Sequence, residues 1–351
     1  MLSPARRILA LVCAVALVIV TVPSLFVPPA EFILFQPAPY QQQLAKQNIY
    51  NLLPYWLAAI TVTNGGAAGQ NALALMSKDA LQSVYVQVLS PAWAKTQMDG
   101  LITQLWDYLN FKTTQLTLVV DLRELKSRLS AGGPDSVGGQ ILRSWPACNL
   151  DQLVKLGVVL ASGLLNGSIP SDMPLCRPPD NMMPVADQLM QSAFSTFAAT
   201  IPDRVDLVDY FKALPNFDQQ QATLAKIYTG YTIARWMGRF LPWVALFLLL
   251  AVIALSAVSW RTAFTYTGLP LLMAGILGIL TALVLWILTS RVVDTLVKGM
   301  TSVSDEMLMA GTLAFQQVFM LFLIWAAVLA IIVAGIGLVA VGLPRLIRQP
   351  N

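Results

Sequence analysis

Histidine is missing from this chain of 351 residues. Its absence excludes Ser-His-Asp and Cys-His catalysis, histidine-ligated zinc or haem, and histidine-based pH switching. Cysteine is nearly missing: three residues are too few for a thiolate zinc site or an iron–sulfur cluster. No cofactor and no metal is therefore expected. Charge is scarce as well, at 11% of residues, against about a quarter in soluble domains. No Walker A pattern occurs, and Gly335-Ile336-Gly337 lies in an apolar run where it cannot cradle phosphate.

The scarcity of charge is local. Four runs, 8–27, 240–259, 269–289 and 318–343, contain no Asp, Glu, Lys or Arg. Each approaches or exceeds the roughly 20 residues a helix needs to cross a hydrocarbon core about 30 Å thick. In 240–259, twelve residues are Leu, Ile, Val or Phe; together they favour insertion by roughly 4–7 kcal/mol. The expected fold is an α-helical integral membrane protein, with four transmembrane helices and a mostly helical extracytoplasmic domain containing a small β element. The expected organisation is a tail and signal-anchor helix over 1–27 and an outer domain with stalk over 28–235. Spans follow at 240–259 and 269–289, an outer amphipathic segment at 290–317, a last span at 318–343 and a tail at 344–351.

The net charge of +4 does not indicate nucleic acid, because residues 28–235 hold 14 basic and 15 acidic residues. The excess sits at the flanks of the spans. Arg6 and Arg7 precede the first, Arg261 lies between the second and third, and Arg345 and Arg348 follow the fourth. The positive-inside bias then puts both termini in the cytoplasm and the large domain outside the cell membrane. Trp243 and Trp286 fall near the outer interface and Trp260 near the inner one. Cleavage of the first span as a signal peptide is the alternative to an anchor, but no clear small-x-small site follows it. Cys13 lacks a small preceding residue and reads as an apolar membrane-facing side chain, not a lipoprotein cysteine.

In the outer domain, Ser90-Pro91 predicts a capped helix running to about Asn110, with Met98, Leu101, Ile102, Leu105 and Leu109 on its apolar face. Residues 114–120 alternate and are β-branched, predicting a strand. Asp121 with Glu124, Asn149 with Gln152, and Asn216 with Gln219 have capping-box spacing. Cys148 and Cys176 are the candidate disulfide, permitted outside the cytosol and worth roughly 3–4 kcal/mol by loop closure; two free buried thiols are the alternative. From Phe217 the helical pattern continues into the second span. One helix over 217–259 would be about 64 Å long, its first 34 Å or so forming a stalk. A break near Gly238-Arg239 is the other option.

Several constellations have ordinary explanations. Asp203, Asp206 and Asp209 read as a solvated helix start rather than a cation site. Capping accounts for Asp121 and Glu124 beside Arg123, leaving no catalytic cluster. Asn166-Gly167-Ser168 fits a glycosylation acceptor weakly. Ala326, Ala330 and Ala334, with Ala274 and Gly278, allow close helix approach, either within the bundle or as a homodimer seam. The four runs hold no ionisable group, which argues against a stand-alone ion pump. Segment 291–317 is amphipathic, and Ser302-x-x-Asp305 predicts that the last helix starts above the bilayer.

The layout of one span, a large outer domain and three further spans resembles the membrane subunits of the MacB and FtsX class of ABC systems. It departs from them in the loop at about 260–268, which is too short for a coupling helix. "TLVVDLRELK", "SWPAC" and "MPLCRPP" resemble segments of uncharacterised bacterial membrane proteins of the Chloroflexota type, which implies no function. The expected function is non-enzymatic: a membrane-anchored interaction or sensing protein. Its partners would be membrane lipid and an envelope or membrane protein. A transport or export subunit and an outer-face hydrolase with non-histidine chemistry are the alternatives.

Overall fold

The computed structural model describes residues 4–56, 78–133, 136–166, 176–212, 217–256, 260–299 and 305–346. In chain order the helices are α1 (Pro4–Ser24), α2 (Pro37–Lys46), α3 (Lys78–Val88), α4 (Pro91–Leu109), α5 (Arg123–Ser130), α6 (Val137–Ser144), α7 (Leu150–Asn166), α8 (Met183–Thr200), α9 (Leu207–Lys212), α10 (Phe217–Ser256), α11 (Trp260–Gly299) and α12 (Asp305–Leu346). A single turn at Val27–Pro29 and a π-helical turn at Ala30–Leu34 follow α1, and 49–56 is also helical. Strands β1 (Val119–Asp121) and β2 (Arg204–Asp206) form an antiparallel pair. The chain divides into two compact units: 1–43 with 212–301 and 312–351, and 44–211 with 302–311.

Four stretches are long and apolar enough to cross a membrane, Ile8–Leu34, Tyr228–Ser256, Thr262–Thr289 and Met309–Gly342, and all but 309–311 belong to the first unit. They overlie the four runs expected from sequence. On α1 the buried positions Ala10, Ala14, Leu17 and Thr21 recur every three or four residues and form one stripe, which Leu25 in the following turn continues. That stripe packs on α10 and α11, with Leu17 against Val252. The rest of α1 is just as apolar and faces outward, at Ile8, Leu11, Val12, Val15 and Ile19. Trp243, Phe247, Leu250, Leu283, Ile331 and Leu338 are exposed in the same way on the other long helices. Apolar surface this continuous is rare on a water-facing protein; it fits helices whose solvent is hydrocarbon.

Helices α11 and α12 meet through small residues. A Cβ on Gly275 would lie 2.6 Å from the Cβ of Ala334 and 2.7 Å from the Ala330 carbonyl oxygen; one on Gly268 would lie 2.9 Å from the Gly337 carbonyl. Ala274, Ala326 and Ala330 are fully buried. The small residues singled out in the sequence are therefore spent on packing within the bundle.

The long helices absorb segments expected to be separate. α10 runs without interruption through Gly230, Gly238 and Pro242, so the chain does not break at Gly238-Arg239; residues 257–259 lie outside the described set. Residues 260–268, expected as a loop, form the start of α11. The expected outer segment 290–317 is largely the end of α11 and the beginning of α12. No proline or glycine falls between Gly278 and Gly299 to stop α11. Ser302 is outside the described residues.

The second unit is built around Val84, Val137, Ile141, Leu142, Trp145, Leu156, Met183, Leu189 and Met190. α8 crosses α5 and α6, and α3 packs on α6. Gly138 lets α8 come close, since a Cβ there would meet Met190 and Phe194 at 3.2 Å. Ser90 caps α4 as expected, accepting from the Trp93 N–H. The apolar face expected on α4 is only half-buried; Trp93 and Ala94 are its buried residues.

Three local expectations are corrected. The strand expected over 114–120 is confined to Val119–Asp121, because the partner strand is only three residues long. Arg204–Asp206 is that partner, so the acidic trio does not start one helix. Instead Asp206 accepts from the Leu118 and Val208 N–H groups, joining β1 to the start of α9. Asp121 and Glu124 do not form a capping box: Asp121 donates its N–H to Gln97, and Glu124 pairs with Arg128.

Candidate functional site

Cys148 and Cys176 form a disulfide, with Cα atoms 4.8 Å apart. The backbone joins at the same place: Cys148 N–H donates to the Arg177 carbonyl at 3.1 Å and Arg177 N–H to the Pro146 carbonyl at 2.8 Å. Directly after the cystine, Asn149 and Gln152 form the expected reciprocal box. The Asn149 N–H donates to Gln152 Oε1 at 3.0 Å and the Gln152 N–H to Asn149 Oδ1 at 2.8 Å. These ties hold the first turn of α7. Leu156 faces the core and is fully buried. Leu150, Val154 and Val158, spaced by four, face outward and are 82%, 70% and 66% exposed. Asp151 and Lys155 are exposed beside them. The result is an apolar ridge with a charge of each sign on its flank, on a helix whose start is cross-linked.

A second feature of this unit is an open cleft of about 670 Å³ between α4 and β1. Leu118 and Leu122 direct backbone bonds toward the β2 side. Val119 and Asp121 point the other way, where side chains of α4 take the place of a third strand. The Gln104 amide accepts from the Val119 N–H at 2.7 Å and donates to its carbonyl at 3.2 Å. Gln97 accepts from the Asp121 N–H at 2.8 Å, and the Trp93 indole donates to the Asp121 carbonyl at 3.2 Å. A sheet edge so occupied offers no ladder to a passing strand.

The mouth of the cleft carries Asp121, Arg123, Glu124 and Arg204. The Arg123 side chain grips the Asp121 carboxylate, the Arg123 backbone N–H adds a bond at 3.0 Å, and Arg204 stands at 3.9 Å. Side-chain and backbone bonds from Arg123 hold the Asp121 carboxyl down at about 2. That is the wrong direction for a general acid or base near neutrality. Among the described residues, no group of three or more Cys, Asp or Glu side chains could hold a metal.

Sequence reasoning missed a third cluster, in the first unit. Arg235 of α10 donates to Glu31 in the π-helical turn at 2.8 Å and to the Tyr231 hydroxyl at 3.0 Å, and lies 4.2 Å from the centre of the Phe35 ring. Arg235 is only 15% exposed. Nearby, the Tyr40 hydroxyl donates to the Leu34 carbonyl; burial, with Tyr231 adding to it, pushes its pKa up to about 12. The four runs chosen from sequence stop short of Glu31 and Arg235, whereas the apolar stretches Ile8–Leu34 and Tyr228–Ser256 include them. An acid closing one apolar run, and Arg235 with Arg239 at the start of the next, were the available signal.

No protein-family model, curated protein or solved structure matches the chain.

Proposed function

We propose that this chain is a non-enzymatic, membrane-anchored interaction or sensing protein whose large domain stands outside the cell membrane and docks a protein partner. The observation that carries the proposal is the ridge of Leu150, Val154 and Val158, exposed on a helix whose first turn is cross-linked and capped. Apolar anchors at this spacing are what a partner helix or groove engages, and holding them rigid lowers the entropic cost of association. The flanking Asp151 and Lys155 would set orientation. Outward placement is supported by the cystine, which persists in oxidising compartments, and by the arginine borders of the spans.

The test is purification of the full chain from native membranes in mild detergent, with identification of what accompanies it. Wild type is expected to bring down a protein partner that Val154→Asp loses, while Val154→Asp keeps its helix content and its disulfide. A partner retained equally by both proteins overturns the assignment to this ridge.

A transport or export subunit is the second reading. It is favoured by the unbroken 40 residues of α10, about 60 Å of helix, twice the hydrocarbon thickness. Such a rod could carry mechanical work between a domain and the bundle. Co-purification of an ATPase would favour it. Outer-face hydrolase chemistry gains no support from the cleft, where Asp121 and Glu124 are each held by arginine.

A further inference from the structure

The bundle unit contains a cavity of about 210 Å³. Phe26, Val27 and Phe322 line it together with the bare backbone of Gly238, and the Glu31–Arg235–Tyr231 cluster closes one end. All but Phe35 of its lining belong to the stretches apolar enough to span a bilayer. An enclosed cavity of about 150 Å³ lined only by apolar side chains stays dry and binds benzene; here the apolar wall is open on one side. Arg239 is exposed one helical turn beyond Arg235, directly after Gly238, and Trp236, Phe240 and Trp243 on the same helix are exposed as well. Aromatic side chains of this kind settle at the headgroup level of a bilayer. Within the lining Arg235 is paired with Glu31; the exposed Arg239, next to Gly238 in sequence, adds a positive charge outside it.

We infer that this cavity is a binding site for one anionic phospholipid, with an acyl chain against Phe26, Val27, Gly238 and Phe322 and the headgroup phosphate at Arg239. Charge complementarity selects the anionic headgroup, because Glu31 already neutralises Arg235 and leaves the positive charge of Arg239 for the ligand. Hydrocarbon is what a membrane supplies at the apolar wall. The inference rests on the spanning helices and is independent of any partner at the α7 ridge.

Gly238 gives a direct test. A Cβ there would lie at an ordinary 3.7 Å from Val27 Cγ2, so Gly238→Leu starts at the cavity wall without a backbone clash at its first carbon, and it improves helix propensity. The experiment is native mass spectrometry of the full chain from dodecyl maltoside micelles doped with equal phosphatidylglycerol and phosphatidylcholine. Wild type is expected to retain one phosphatidylglycerol in preference to phosphatidylcholine. Gly238→Leu should retain at least about tenfold less of either lipid, a difference of 1.4 kcal/mol. Arg239→Gln, at an exposed position, should retain lipid without headgroup preference. Gly335→Leu, at an open position, should behave as wild type. Equal retention by wild type and Gly238→Leu overturns the site, as does an unchanged phosphatidylglycerol preference in Arg239→Gln. An adduct with the mass of a free fatty acid overturns the phospholipid assignment. Should Gly238→Leu not fold, the Arg239→Gln comparison still decides. Alkaline carbonate extraction of the same membranes reads insertion separately.

Discussion

At the residue scale, the cystine and the Asp121 carboxylate each have a measurable consequence. Cys148 and Cys176 are 28 residues apart in sequence, a loop whose closure is worth roughly 3–4 kcal/mol in the chain-entropy model. Cys148→Ser should lower the thermal midpoint of the purified chain accordingly and abolish the mobility shift between reducing and non-reducing gels. Asp121 behaves oppositely to a buried acid. Its folded pKa of about 2 lies below the ordinary aspartate value of about 3.9. The stabilisation from its bonds with Arg123 is therefore complete above the ordinary value and fades as pH falls toward about 2. The difference in thermal midpoint between wild type and Asp121→Asn should be constant above about pH 5 and shrink steadily below about pH 4. A difference unchanged down to pH 3 would contradict this. The pairing of Cys148 with Cys176 was legible in the sequence because a domain expected outside the cytosol permits oxidation. The Asp121 environment was not: capping-box spacing is local, whereas Gln97 and Arg204, which also engage it, come from other elements.

At the element scale, α4 and β1 form a small structure in which a helix completes a sheet edge. Gln104→Met keeps length and helix propensity but removes both amide partners of Val119. The backbone groups it strands border an open cleft that water reaches, so the cost falls near the low end of the range for lost partners, about 1 kcal/mol. Hydrogen exchange should find the Val119 amide markedly faster in the variant, with protection in α8 unchanged. Sequence periodicity located α4 through its Ser90 cap and proline. It overestimated β1, since a strand's extent depends on how much partner it finds, and Arg204–Asp206 offers only three residues. The reciprocal box at Asn149 and Gln152 formed and the one proposed at Asp121 and Glu124 did not. The distinction lies in competition: Gln97 and Arg123 claim both ends of Asp121, while the Asn149 side chain is bonded to the Gln152 N–H.

At the scale of the whole molecule, four apolar stretches were visible in the sequence because absence of charge over a bilayer's width needs no tertiary context. How far the helices continue beyond those stretches was not visible, because 260–268 and 290–299 contain polar residues that suit a helix outside hydrocarbon as well as a loop. The seam between α11 and α12 sets a further expectation. Gly275→Leu places a side chain where the Ala334 and Ala330 backbones already lie. Overpacking of this kind costs about 1–3 kcal/mol, so the variant should show a lower thermal midpoint and faster proteolysis in detergent, with Gly335→Leu as the tolerant control. Equal melting of the two variants would show that α11 and α12 are not in close register.

That seam also constrains how anything could traverse the bundle. Where even one added carbon on Gly268 would strike Gly337, and on Gly275 would strike Ala334, the two helices leave no bore between them for a solute or a file of water. A solute passing between α11 and α12 would therefore have to prise the pair apart at Gly268 and Gly275.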